Sequence, residues 1–197
     1  MFSDFSVKPL STKTWPDFAR LVKRHDGVWG GCWCIIFHLQ RNWKATPAQR
    51  RAEKRRRVRE GRAHAALVYD GPRCIGWCQF GPITELPSIK LEQMYLEGLK
   101  RLPDWRITCF FVDREYRHRG VASTALKGAL REIARLGGGT VESYPQDVEA
   151  HATSGSFLYN ATTSMFERQG FRRGRQLGKN HYVLTKVVRK APRAAKR

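Results

Sequence analysis

Residues Ile107–Ala122, ITCFFVDREYRHRGVA, join an apolar run to a polar bend, Arg117-x-x-Gly120-x-Ala122, and then to a new apolar-periodic segment. A strand that feeds a helix through such a bend aims several backbone N–H groups and the positive end of the helix dipole at one point. Phosphate binds at such a point. Gly120 lets the backbone approach the anion with no Cβ between them, and Ala122 is nearly as small. Arg117 and Arg119 add positive charge beside it. The chemistry these residues suit is recognition of a diphosphate.

A second cluster is Trp29, Cys32, Trp33 and Cys34. A single residue between two cysteines is poor spacing for a closed zinc site, and no second Cys/His pair accompanies it, so a metal is not expected. Two readings remain. A thiolate here is a good nucleophile; alternatively, the cysteines and tryptophans are buried soft side chains lining a pocket, joined by Trp77, Cys78 and Trp105. The second reading is the one favoured by how often cysteine is buried. His25, His38, His64, His151 and His181 stand alone without ligand spacing and read as structural or surface residues.

The elements that position these residues follow from pattern and punctuation. Phe5–Leu10 alternates like a strand, and Thr14-Trp15-Pro16-Asp17 opens a helix that Gly27, Gly30 and Gly31 end. Thr46-Pro47-Ala48-Gln49 is a capping box with proline in the first turn, which predicts a helix to about Glu60 with Gly61 just beyond it. Its basic residues wrap nearly the whole circumference and leave only Ala52 and Val58 as apolar surface. Ala63–Tyr69 and Cys74–Phe80 form a hairpin about Asp70-Gly71-Pro72. Ile89–Leu99 carries a weak helical stripe. Trp105–Val112 is the expected centre of the sheet, followed by a helix over Val121–Leu136 and a strand over Thr140–Tyr144. Phe157–Gln169 reads as one helix closed by Gly170, Phe171–Arg175 and Asn180–Val187 as strands, and residues 188–197 as a disordered basic tail on a domain spanning 1–187.

At Val112, Arg117, Gly120 and Ala122 the chain resembles the GNAT superfamily of acetyl-CoA-dependent N-acetyltransferases, whose signature is Arg/Gln-x-x-Gly-x-Gly/Ala after a strand ending in valine. Met165–Phe171, MFERQGF, is similar to the late helix of that family, which ends in Gly-Phe before a strand. The order of elements agrees from Phe5 to Val187. The resemblance implies an α/β fold with a mixed central β-sheet flanked by helices and splayed between the fourth and fifth strands. It implies that Phe110, Phe111 and Val112 offer backbone groups to a pantetheine arm. His118, Arg119, Gly120, Val121, Ala122 and Ser123 would then ring the pyrophosphate, with Arg117 beside them. The reaction implied is attack by a neutral amine on the thioester carbonyl of acetyl-CoA, which needs a proton acceptor and an oxyanion donor. Glu142 matches a general base found in some branches; its other readings are a surface strand carboxylate or a partner for Arg117 or Arg119. The usual general acid, a tyrosine, is replaced by Phe166. Tyr159, two helical turns earlier, is the substitute candidate, against a reading as core packing. A covalent acyl-cysteine step is the form the thiolate reading of Cys32 and Cys34 takes in this setting.

Composition bounds the rest. The 197 residues, 41% hydrophobic and 11% aromatic, suffice for one domain with its own core. No apolar stretch reaches membrane-spanning length, the N-terminus lacks a signal-peptide pattern, and five irregularly spaced cysteines suit a reducing compartment, so a cytoplasmic protein is expected. The net charge of +20 is concentrated. Residues 44–62 carry +7 and residues 168–197 carry +11 with no acidic residue. One reading is a solvated surface that attracts an anionic cofactor. The other is a nucleic-acid partner, RNA for example, met by Arg50, Arg51, Arg55, Arg56, Lys179 and the tail. The acceptor is correspondingly a small-molecule or peptide amine, or an aminoacyl group carried on RNA. Phe166 also favours a contrasting possibility, a nucleic-acid-binding module that keeps the fold with its acyl chemistry altered or lost.

Overall fold

The computed structural model describes residues 5–39, 44–148 and 155–192. Among these residues seven strands form one sheet: β1 (Ser6–Pro9), β2 (His64–Asp70), β3 (Arg73–Pro82), β4 (Trp105–Val112), β5 (Gly139–Ser143), β6 (Arg172–Leu177) and β7 (His181–Val188). Their spatial order is β1-β2-β3-β4-β5-β7-β6. All neighbours are antiparallel except β4 and β5, which run parallel and pair only over Trp105–Ile107 against Val141–Ser143. Beyond that short register the two strands part, which is the expected splay. The Ser143 hydroxyl donates to the Ile107 carbonyl at 3.0 Å, where the strands separate.

Among the described residues five α-helices, α1 (Trp15–Arg24), α2 (Pro47–Arg59), α3 (Glu92–Glu97), α4 (Val121–Arg135) and α5 (Thr163–Glu167), flank the sheet. α4 lays Val121, Ala125, Leu126, Ala129 and Ile133 on one face, against Ala66, Val68, Ile75, Ile107 and Val141. α1, the Gly27–His38 loop and Val58 of α2 cover the other face around Leu67, Tyr69, Trp77 and Cys109. α4 comes close because β3 carries Gly76 beneath it: a Cβ there would lie 2.7 Å from the Phe111 carbonyl oxygen and 2.9 Å from Val121.

The capping box of α2 forms in full, with the Thr46 hydroxyl accepting from Gln49 N–H and the Gln49 side chain accepting from Thr46 N–H. The rest of α2 departs from expectation: Ala52 is exposed, whereas Lys54 is fully buried beside Val58. The helix expected over Phe157–Gln169 is two pieces, a 3-10 turn at Gly155–Asn160 and α5. Ala161, at φ +59°, separates them. Gln146, arriving from β5, takes the backbone bonds a continuous helix would use, donating to the Ala161 carbonyl at 3.2 Å and accepting from Thr163 N–H at 2.9 Å. β7 runs one residue past the expected start of the tail. Val188 belongs to β7 and Ala191 N–H donates to the Ala134 carbonyl at the end of α4; residues 193–197 of the expected tail lie outside the described residues, as does His151.

Candidate functional site

The bend after β4 is built by Asp113. Its carboxylate is buried and accepts from Arg24 of α1 at 2.7 Å, from Arg73 of β3 at 3.1 Å and from Glu115 N–H at 3.3 Å, with the His25 ring 3.4 Å away. Burial alone would raise its pKa; the Glu115 N–H and the two guanidinium groups outweigh that and hold it below the usual carboxylate range. The strand end is thus tied to α1 and β3, and the following residues turn outward. His118 and Gly120 take left-handed conformations, φ +61° and +78°, and Gly120 caps α4. Arg117, His118, Arg119 and Gly120 are all exposed. Among the described residues, the N–H groups of His118, Arg119, Gly120, Val121, Ala122 and Ser123 donate to no backbone or side-chain acceptor, and the first α4 bond is Thr124 N–H to the Gly120 carbonyl. A Cβ on Gly120 would meet nothing within 4 Å. Six unengaged amides in an open bend fit a diphosphate. Phe110, Phe111 and Val112 lie past the last β4–β5 pair, so this edge of β4 is not covered by β5.

The aromatic cluster assembles on the face opposite α4. Phe111 stacks on Trp77 at 4.8 Å; Trp29 meets Phe111 and Tyr159 edge-on at 6.4 and 5.8 Å, and Tyr159 also packs on Phe37 at 6.0 Å. Trp29 is partly exposed, Cys32 half-buried, and Cys34 and Trp33 buried, with Trp33 stacked on Trp15. Trp105 does not join them. It lies on the α4 face with Phe80 and His64, and its indole N–H donates to the Gly138 carbonyl. The reason is a bulge: Gln79 opposes Cys109 but Phe80 opposes Ile107, so Thr108 is an extra residue in β4 and the alternation inverts across it. The same kind of correction applies to Tyr159 and Phe166. They do not share a side: Tyr159 sits with the aromatic cluster, whereas Phe166 is fully buried on the α4 face, edge-on to Phe110 and Phe171.

Glu142 is neither exposed nor paired with Arg117 or Arg119. Its carboxylate is buried and accepts from the hydroxyls of Tyr95 at 2.8 Å and Tyr144 at 3.1 Å. Burial raises the pKa of both tyrosines, and the Glu142 charge adds to this, so both stay protonated as donors. Arg106, opposite Glu142 in the β4–β5 register, lies over both tyrosine rings and donates to the Leu86 and Pro87 carbonyls. Asn160 reaches across to the Tyr144 carbonyl at 3.2 Å, and its own side-chain oxygen has no partner.

A network that residue patterns did not signal underlies the cluster. Lys54 Nζ donates to the Cys34 carbonyl at 3.0 Å, to Gln79 Oε1 at 2.6 Å and to His38 Nε2 at 2.9 Å. His38 Nδ1 donates to the Glu85 carbonyl, and Gln79 Nε2 donates to the hydroxyl of Thr108, the bulge residue. His38 is held well below the usual imidazole value by burial and then by the Lys54 and Arg57 charges, so it is neutral. The capping box located α2, but nothing in a run of basic residues marks one lysine as internal.

The basic segments are partly consumed by the fold. Arg56, expected at a phosphate, is held by Glu53 and Glu60; Arg57 bonds Glu53 and Arg62 bonds Glu60. Arg51 lies over Trp33. Arg173 pairs with Glu167 and Asp147, and Arg175 donates to the Met94 and Tyr95 carbonyls. Arg55 and Arg59 are exposed, Arg50 is half-buried, and none of the three makes an ion pair among the described residues.

The family model described as the acetyltransferase (GNAT) family matches residues 19–154. No curated protein matches the chain. Solved structures match over nearly their whole length at low identity. One is an acetyltransferase of the GNAT family, labelled putative, from Desulfovibrio desulfuricans (TM-score 0.56, 12% identity, 93% of this chain and 99% of that one). A second is the ribosomal-protein-S18-alanine N-acetyltransferase of Escherichia coli (0.51, 10%, 98% and 99%). A third is Arabidopsis thaliana NAA60 in complex with acetyl-CoA (0.51, 14%, 93% and 98%).

Proposed function

This chain belongs to the GNAT acetyltransferase family, and we propose that it moves an acetyl group from acetyl-CoA to a primary amine. The observation that carries the reading is the open bend of six unengaged amides at the head of α4, directly beside the splayed edge of β4. Acetyl-CoA supplies an activated thioester, and its diphosphate suits that bend. The amides of His118–Ser123, with Arg117 and Arg119 at the rim, hold the negative charge; the free edge of Phe110–Val112 orients the arm that leads to the splay. The amine enters from the aromatic side, between Trp29, Phe111 and Tyr159, which exclude water.

Glu142 accepts the amine proton, and the Tyr95 and Tyr144 hydroxyls orient its carboxylate. Tyr159 packs in the same cluster as Cys109 of β4, and burial keeps its hydroxyl protonated, as a group that protonates the departing thiolate must be. Trp33 and Trp77 are buried walls behind this pocket, not surfaces the amine touches. A protein amine is in keeping with the neighbours, one of which is named for N-acetylation of an alanine of ribosomal protein S18. Incubating cell extract with the protein and isotope-labelled acetyl-CoA, followed by mass spectrometry, tests the reading and identifies the acceptor; no labelled amine and no coenzyme-induced rise in melting temperature would refute it.

The basic residues of α2 support a second property, contact with a nucleic acid that carries or neighbours the acceptor. Among the described residues Arg50, Arg55 and Arg59 of α2 make no ion pair, while Glu53 and Glu60 serve Arg56, Arg57 and Arg62. Retention on RNA that falls steeply with salt, and less steeply after Arg55→Ala with Arg59→Ala, is the expected outcome. Salt-independent or absent retention excludes it. Among the described residues no helix is long and apolar enough to cross a membrane.

A further inference from the structure

The loop that carries Trp29 has a backbone its residues do not favour. Six consecutive residues, 26–31, have positive φ between +43° and +80°, and so do Trp33 (+53°) and Cys34 (+51°). Asp26, Val28 and Trp29 in the run are not glycine, and β-branched Val28 is the type least suited to a left-handed conformation. Cys32 N–H donates to the Val28 carbonyl at 2.9 Å, which closes the turn, and a Cβ on Gly27 would lie 2.7 Å from Gly31 Cα. Such a backbone persists only where the surrounding structure over-determines it. That structure is α2. Gly31 sits against Pro47, where a Cβ would lie 2.5 Å from the proline Cβ; Arg51 lies over the Trp33 ring at 5.6 Å; Lys54 Nζ donates to the Cys34 carbonyl at 3.0 Å. These three positions, four and three residues apart, share one side of the helix. Of the three only Lys54 is fully buried. As an ammonium group it has three protons and three acceptors, the Cys34 carbonyl, Gln79 Oε1 at 2.6 Å and His38 Nε2 at 2.9 Å. His38 accepts there because its Nδ1 donates to the Glu85 carbonyl, and Gln79 is fixed by donating to Thr108. The last residue of the strained segment is thus pinned to β3 through one buried cation.

We propose that Lys54 is a positioning residue for the amine: it holds the left-handed turn closed, so that Trp29 meets Phe111 and Tyr159 across the entrance. The inference rests on the transferase reading above, which brings the amine in between those three rings. Lys54 acts through the loop and touches neither substrate. Without its ammonium group the Cys34 carbonyl, Gln79 Oε1 and His38 Nε2 lose a donor, and the turn loses its buried tie to β3. Asp26, Val28 and Trp29 then relax toward negative φ, which draws Trp29 away from its partners. The Gln79–Thr108 bond does not involve Lys54, so the bulge in β4 keeps its place, as does the bend at residues 118–123. Loss of Lys54 therefore weakens binding of the amine and spares binding of the coenzyme.

The test uses the full chain, isotope-labelled acetyl-CoA and a dilution series of cell extract as the source of amine. Lys54→Met, similar in length and uncharged, should need about tenfold more extract for half-maximal transfer. The acetyl-CoA concentration at half-maximal rate and the coenzyme-induced rise in melting temperature should stay at their wild-type values. Hydrogen–deuterium exchange should quicken in the peptide covering residues 26–34 and not in α4. A lysine that only stabilises the fold would lower the melting temperature and the maximal rate without separating the two substrates, and that result overturns the inference. So does unchanged dependence on extract in folded Lys54→Met. Should that variant not fold, Gly31→Ala, which pushes the turn off Pro47 and leaves Lys54 in place, should shift the extract dependence in the same direction; no shift overturns the inference. No transfer by the wild-type chain overturns the transferase reading itself, and the inference with it.

Discussion

Gly120 separates backbone shape from anion binding, because its surroundings constrain one and not the other. At φ +78° any other L-residue pays the left-handed penalty, about 1–2 kcal/mol. No atom lies within 4 Å of a Cβ there, so no clash is added. For a chain of this size each kcal/mol lowers the melting temperature by about 2–4 °C, so Gly120→Ala and Gly120→Glu should both fall by roughly 2–8 °C and remain folded. They should part company on adding acetyl-CoA. At about 100 times the dissociation constant a ligand stabilises by ~2.7 kcal/mol, a rise of roughly 5–11 °C. Gly120→Ala should keep most of that rise, since the amides of Arg119, Val121, Ala122 and Ser123 are untouched. Gly120→Glu should lose it, because its carboxylate sits at the N-terminus of α4 and competes for the same amides. Differential scanning fluorimetry of the three proteins with and without coenzyme decides the matter. An undiminished rise in Gly120→Glu would refute the placement of the diphosphate at this bend.

Glu142→Gln should slow transfer more at low pH than at high pH, since a proton acceptor matters most when the amine is still protonated; equal slowing across a pH–rate profile would assign Glu142 a structural role held by Tyr95 and Tyr144. Asp113 bears on stability. Its folded pKa lies below the unfolded value of about 3.9, so its contribution is present above that value and disappears as pH falls through the folded one. Asp113→Asn should therefore cost about 1–3 kcal/mol at neutral pH, discounted because Arg24 and Arg73 are partly exposed, with the difference from wild type closing in acid. Urea melts at neutral and acidic pH measure this, and a gap that widens in acid contradicts it.

Local chemistry wrote much of this protein legibly. The capping box of α2, the hairpin at Asp70-Gly71-Pro72, the dense apolar run of β4 and the Arg117-x-x-Gly120-x-Ala122 bend each depend on residues within a turn or two of one another, and each formed within a few residues of its expected bounds. Tertiary structure decided what distance in the chain conceals. One extra residue at Thr108 inverts the faces of β4, which sends Trp105 away from the pocket that Phe111 helps to line. Backbone bonding by Gln146 breaks the late helix and sets Tyr159 and Phe166 on opposite faces of the sheet. Lys54 is the clearest case. In composition it is one cation among nine in its segment, and only the convergence of α2, the Gly27–His38 loop and β3 turns it inward, because burying a charge depends on acceptors that no local pattern brings together.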